Sequence, residues 1–328
     1  MIRRLAIVLA GAAAVLLTSA LVDVTFAQGT WPSKPIQLVV PWPAGGGTDI
    51  IARTIANKLQ ARLGTPVIVD NRAGASGLIG TQYAAKAEPD GYTIVLGVTN
   101  THAINPTYFK KLPYDPVKDF QPISMLAVGP HVLVVNAKLP VKTLPELVAM
   151  VKAQPGKLSF ASYGNGSTAH LLGEQMKQTD HLDMTHVPYR GIPPALQDLI
   201  GGQVTMLFST TAAALPHIKS GNLRALAITS EKRLELLPDV PTMIELNRPD
   251  ATLNHWYGLL APAGTPRAVV DRLSKETRAA LQGNDVKDTF TQAGVTPWPM
   301  SPEEFAAFIR SEIAKWGKLV KASGIQGD

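Results

Sequence analysis

From Ile36 onward, short apolar runs alternate with stretches in which apolar residues recur every three or four positions. The runs are rich in Val, Ile and Leu and bounded by Gly, Pro or Asn, which predicts strands at 36–40, 67–69, 93–98, 124–127, 132–135, 158–161, 185–188, 204–208 and 225–229. The helical period predicts helices at 49–63, 77–87, 143–153, 168–178, 194–201, 267–282 and 302–322. In the first of these, Ile50, Ile51, Ile55 and Leu59 mark one buried stripe. Strand and helix in alternation point to an α/β fold built on parallel sheet.

The chain is long enough for two domains of about 100 to 200 residues each, yet it has no internal repeat and no low-complexity linker. Two domains must therefore be joined by continuous strands. Segments 119–131 and 253–262, extended and apolar beside Pro or Gly, are expected to make the crossings. One lobe is then assembled from 28–128 and 256–328, and the other is the inserted 129–255. Ahead of both, Arg3 and Arg4 precede an apolar run from Leu5 to Leu17 and small residues up to Ala27. That order predicts a secretory signal peptide over 1–27, with cleavage after Ala27 or, alternatively, Ala20.

The sequence contains no cysteine, which removes disulfides, thiolate nucleophiles and thiolate metal sites together. The formal charge of +6 is dispersed, with no basic run and no interleaved aromatics, so no nucleic-acid partner is expected. Catalytic motifs are equally lacking. There is no His-Glu-x-x-His helix, and around Ser167 the glycine positions of a nucleophile elbow hold Asn165 and Ala169. No catalytic residue, cofactor or metal is expected; an exported α/β hydrolase remains the alternative, because triads are assembled by folding.

What the sequence does offer is a glycine turn between a strand and a helix, Pro41-Trp-Pro-Ala-Gly-Gly-Gly-Thr-Asp49. Glycines there let backbone N–H groups converge at the positive end of a helix, a cradle for an anion. A P-loop would need Gly-Lys-Ser/Thr, and here Gly47 is followed by Thr48 and Asp49, so an organic acid suits the loop better than a phosphate. Thr48 or Asp49 is the expected N-cap, and Trp42 could lie over the solute or pack on its neighbouring prolines. A second strand-to-helix turn follows at 158–170, where Gly164, Gly166, Ser167 and Thr168 either bind the anion from the opposite side or simply cap their helix. Ser76, Asn100 and Thr101 end other segments on the same expected cleft edge.

These segments, with Asp70-Asn-Arg-Ala-Gly74, Pro89-Asp-Gly-Tyr-Thr93, His186-Val-Pro-Tyr-Arg-Gly191 and Ala261-Pro-Ala-Gly-Thr-Pro266, resemble the Bug, or TctC-type, extracytoplasmic solute receptors of the tripartite tricarboxylate transporter system. The resemblance implies a two-lobed periplasmic-binding-protein fold, type II-like, each lobe a sheet flanked by helices and the two joined by crossover strands. It implies a monomeric periplasmic protein that closes on a small organic carboxylate and delivers it to TctA/TctB-like membrane subunits, or else serves a signalling partner as a sensor. The ligand carboxylate is then expected at Ala44, Gly45, Gly46 and Asp49 from one lobe and at Gly164, Gly166, Ser167 and Thr168 from the other. Ser209, with Thr210 and Thr211, stands where relatives often carry an acidic residue. Bulk at Gly46 is expected to abolish binding, and Ser167→Ala to cost less.

Overall fold

The computed structural model describes residues 31–327, and the predicted leader over 1–27 lies outside them. Residues from Lys34 onward form one unit. Its first strands are β1 (Ile36–Val40), β2 (Val67–Asn71) and β3 (Thr93–Val98), with helices α1 (Gly47–Leu63) and α2 (Leu78–Ala85) between them. A short helix, α3 (Asn105–Tyr108), leads to the long strand β4 (Phe120–Asn136). The middle of the chain contributes α4 (Leu144–Lys152), β5 (Ser159–Ser162), α5 (Thr168–Asp180), β6 (Thr185–Pro188), α6 (Ile192–Ile200), β7 (Met206–Thr210), α7 (Thr211–Lys219) and β8 (Leu223–Ile228). The return is β9 (Asn254–Pro262), followed by α8 (Arg267–Leu281), α9 (Asn284–Gln292), β10 (Thr296–Pro297) and α10 (Pro302–Ser323).

Two sheets share one strand. In the first the order is β2-β1-β3-β9-β4, with β10 on the far side of β4; in the second, β4 continues between β8 and β7, and β5 and β6 complete the row. The changeover is visible residue by residue. Phe120 to Pro130 pair with β9, whereas His131 to Val135 pair with β7. Register shifts against β9, between Pro122 and Ser124 and between Met125 and Ala127, mark bulges that bend this half of the strand. This is the two-lobed α/β fold with crossover strands.

Two expectations need correcting. Segments 124–127 and 132–135 are not separate strands, because Gly129 and Pro130, which read as a break, sit inside β4 where it passes between sheets; a Cβ on Gly129 would meet Val295 at 2.7 Å. The sheets are also mixed, not parallel. The pairs β1–β2, β1–β3, β5–β6 and β5–β7 are parallel, as strand-helix-strand units require, but the crossing strands run against them. Helices α7 and α9 escaped the sequence reading: Pro216 interrupts the pattern of α7, and α9 buries only Val286 and Phe290.

The core forms where the pattern places apolar residues. Ile36, Leu38, Val39 and Val40 of β1 are fully buried between layers, and α1 covers them with Ile51, Ile55 and Leu59. Across the crossing strands, Trp256 meets Phe305 of α10 edge-on at 5.5 Å, and Gly258 leaves the space that the Phe305 ring fills. Among the described residues, no helix is long and apolar enough to cross a membrane.

Candidate functional site

Between the two sheets lies a void of about 430 Å³, counting its mouth. The first sheet supplies Trp42, Pro43, Gly46 and Thr48 from the β1–α1 turn and Val98, Thr99 and Asn100 from the end of β3. The second supplies Tyr163 after β5, Ile192 and Pro193 at the start of α6, and Thr210 between β7 and α7; the crossing strand β9 adds His255 and Tyr257. Three helices therefore begin at its wall. The amides of Gly46, Gly47 and Thr48 precede the hydrogen-bond ladder of α1, which opens with the Asp49 and Ile50 amides donating to Gly46 O. Thr210, the N-cap of α7, also stands at the wall, whereas α6 carries Pro193 and Pro194, which have no N–H to offer.

The glycine turn is built by Asp49, and not as an N-cap. Gly46 holds that position without a side-chain bond. The buried Asp49 carboxylate accepts from the Gly45 amide at 3.0 Å, Arg53 Nε at 2.9 Å and Asn71 Nδ2 at 3.1 Å, while Asn71 Nδ2 also donates to Trp42 O at 3.0 Å. Burial alone would raise the Asp49 carboxyl, but the bonds from Arg53, Gly45 and Asn71 outweigh it and hold the group below its ordinary value. The Gly45 amide is thereby spent inside the loop, and Ala44 and Gly45 are exposed on its outer side.

Of the other residues singled out in the sequence, Trp42, Gly46 and Asn100 line the cavity, and the rest take different positions. Ser76 Oγ donates to Asn165 O at 2.7 Å, a bond from one sheet's loops to the other's. Thr168 Oγ1 does likewise to Asn100 Oδ1 at 3.3 Å, one layer behind the wall. Gly164 packs against Ser76 and Gly166 against Tyr108, and their amides donate to Ser162 Oγ and His170 Nδ1. Ser167 is the N-cap of α5, accepting from the His170 amide at 3.3 Å. Ser167→Ala should therefore lower stability by about 1 kcal/mol in urea unfolding while leaving ligand affinity unchanged. Thr101 is fully buried and bonded to Val98 and His102. Ser209 donates to Thr210 O; side chains alternate along β7, so it is Thr210 that reaches the cavity.

Sequence reasoning missed the floor of the cavity. His255 Nε2 lies within hydrogen-bonding distance of Tyr257 Oη at 2.5 Å, and His131 Nε2 of Tyr163 Oη at 2.8 Å. The two imidazoles meet edge-on at 4.7 Å. Burial pushes the His255 imidazole down to about 3, His131 lower than usual with His255 adding to it, and both phenols upward, so all four groups are neutral. His255 and Tyr257 share a strand face two residues apart, a spacing visible in the sequence but read there only as a hinge.

A Ser–His contact lies elsewhere. Ser162 Oγ is 2.7 Å from His186 Nε2, but it is fully buried, donates to Gly164 O and accepts from the Gly164 amide. His186 stacks on His170 at 3.9 Å, away from the cavity wall. Among the described residues no group of His, Asp and Glu could hold a metal ion.

Residues 51–325 match the family model of the tripartite tricarboxylate transporter family receptor, TctC. The chain belongs to this family. BugT of Bordetella pertussis is 42% identical over 296 residues, covering 90% of this chain and 91% of its own. Among solved structures, a Rhodopseudomonas palustris protein, Rpa4515 with adipate, is 35% identical with a TM-score of 0.87, covering 90% of this chain and 99% of that one. MatC of the same organism, with bound malate, is 34% identical with a TM-score of 0.84, covering 88% and 100%. The TctC family is one of receptors, not of enzymes, and the two-lobed frame described above is its periplasmic-binding-protein fold.

Proposed function

We propose that this TctC-family receptor captures a small carboxylate in the periplasm, closes its lobes on it and hands it to TctA- and TctB-like membrane subunits. On this reading the chain acts as a monomer after loss of residues 1–27, with lobes 28–128 plus 256–328 and 129–255. The observation that carries it is the chemistry of the wall: Gly46 and Thr48 at the start of α1 and Thr210 at the start of α7 line the cavity, as do Trp42 and Asn100, whose Nε1 and Nδ2 are buried without a hydrogen-bond partner. Amide and indole N–H groups and two helix N-termini favour an anion, and no carboxylate side chain lines the cavity to oppose one. The adipate and malate named for the two Rhodopseudomonas palustris relatives are of the same class. Closure fits the contacts Ser76–Asn165 and Thr168–Asn100, which join the two sides only when the lobes meet.

The test is thermal unfolding of the purified protein with a panel of organic acids. A receptor's midpoint rises with acid concentration, by about 2.7 kcal/mol of stabilisation at one hundred times Kd, and the acid is recovered unchanged. No shift with any acid, or conversion of the acid, would count against this reading.

A further inference from the structure

We infer that Tyr108 is a positioning residue for closure: it lies outside the ligand cavity, and its ring, seated between the two sheets, sets how tightly the receptor holds its carboxylate. The inference rests on the carboxylate reading above for what is held, and adds what holds the two sides together. Three glycines in turns of the second sheet each receive a side chain from the first. A Cβ on Gly164 would stand 2.6 Å from Ser76 Oγ, one on Gly191 2.6 Å from Pro43 Cδ, and one on Gly166 2.5 Å from Tyr108 Cδ1. Tyr108 is the largest of the three incoming side chains and is 4% exposed. Its ring fills a socket that a side chain at 166 would close, and it meets His170 of α5 edge-on at 6.3 Å.

The four-residue helix α3 does not fix this ring by itself. The Gly327 amide donates to Tyr108 O at 2.8 Å, and Phe109 lies edge-on to Tyr108 at 4.8 Å. Position 327 has no room for a side chain either, since a Cβ there would meet Tyr108 Cε1 at 2.6 Å and Phe109 Cδ1 at 2.9 Å. Behind them α10 packs Gly317 against Thr107, whose Oγ1 would lie 3.0 Å from a Cβ on that glycine. The end of α10 also reaches the second sheet's side, where Gln178 Nε2 of α5 donates to Ser323 O at 2.8 Å. Residues 324–327 thus clip Tyr108 from behind, and the helix end that carries them is itself tied across the seam. Parting the two sides uncovers the ring and the Gly166 turn together, so the contact stabilises the closed form and not the open one. Apparent affinity follows the closed fraction.

The lack of cysteine supplies a readout that needs no ligand. Gly191 has extended backbone, and a Cβ there would stand 3.7 Å from Pro43 Cβ, within reach of a disulfide. The rate at which Pro43→Cys/Gly191→Cys forms its bridge, with diamide as oxidant, therefore reports the closed population. Adding Tyr108→Ala should slow bridging by about ten-fold, by the same factor through which the closed fraction falls. In the cysteine-free protein, isothermal titration at pH 7.5 with adipate, malate, glutamate and benzoate should show each acid that the wild type binds weakened about ten-fold by Tyr108→Ala, with their order unchanged. Tyr108→Phe keeps the ring and should stay within about three-fold of wild type in both measurements. An unchanged bridging rate or an unchanged affinity in a folded Tyr108→Ala protein overturns the inference, and so does an altered order of acids, which would put the ring on the ligand itself. Should Tyr108→Ala fail to fold, Gly166→Ala, which puts a methyl group into the socket, takes its place with the same expected results. Slowed bridging with no heat from any acid leaves the closure contact standing and counts against the carboxylate reading alone.

Discussion

Gly47→Val is expected to weaken carboxylate binding by about ten- to hundred-fold while the protein stays folded. A Cβ at Gly47 would stand 2.8 Å from Thr210 Oγ1, 3.1 Å from Tyr257 Oη and 3.3 Å from Ala212 Cβ. Two of these partners belong to the second sheet's β7–α7 junction, so the added bulk falls between the lobes and spares the core of each. Such overpacking costs about 1–3 kcal/mol, and lobe separation relieves it. The competent closed population then falls, and apparent affinity falls by the same factor. Gly46, which the sequence singled out for this substitution, has no contact nearer than 3.7 Å, with Pro193 Cδ and Pro43 O, and should tolerate a small side chain better. Titration calorimetry gives the affinity, and small-angle scattering should show a larger radius for the valine variant. Wild-type affinity in a folded Gly47→Val protein would remove α1 from the closure interface.

The frame of this receptor was legible because its signals are local. Ile36–Val40 reads as a strand and 49–63 as a helix from periodicity alone, within two residues of the observed Gly47–Leu63, and the turn between them announces its glycines. The site was legible only where a local motif happened to point inward, as at Trp42, Gly46 and Asn100. Three kinds of physics hid the rest. Asp49 looked like a cap or a ligand contact, but its carboxylate is consumed by Gly45, Arg53 and Asn71, the last of which is distant in sequence. Ser209 and Thr210 are equally polar neighbours, and only the strand's facing decides which reaches the cavity. The His–Tyr floor joins β4, β9 and the turn after β5, residues 131, 163, 255 and 257, so no window of sequence contains it. The family resemblance supplied the closure on a ligand that periodicity and the two expected crossings left open, but not the identity of these wall residues.

Acidification is expected to remove more stability than any single substitution. His102, His131 and His255 are fully or almost fully buried. Burial holds His102 and His255 down to about 3, and burial together with His255 holds His131 well below its ordinary value. Each is neutral in the folded chain, yet in the unfolded chain each titrates near about 6.5. Below that pH the unfolded state binds one more proton per buried imidazole, so stability increases with pH and is lost as pH falls from about 6.5 towards 3. One imidazole is worth about 1.4 kcal/mol per pH unit in this window, and the three together about 4. Set against a typical total of about 5–15 kcal/mol, much of the folding free energy disappears by about pH 5. Asp49 acts in the same direction but later: its folded value is depressed, so its contribution is lost only as pH falls past the unfolded carboxylate value of about 3.9. The histidine effect is therefore separable from it. Urea midpoints between pH 8 and pH 5 should fall steeply, and His255→Gln should reduce the slope by about one proton. A midpoint unchanged down to pH 5 would mean that the folded protein protonates these imidazoles as readily as the unfolded chain does, which a dry His–Tyr floor forbids.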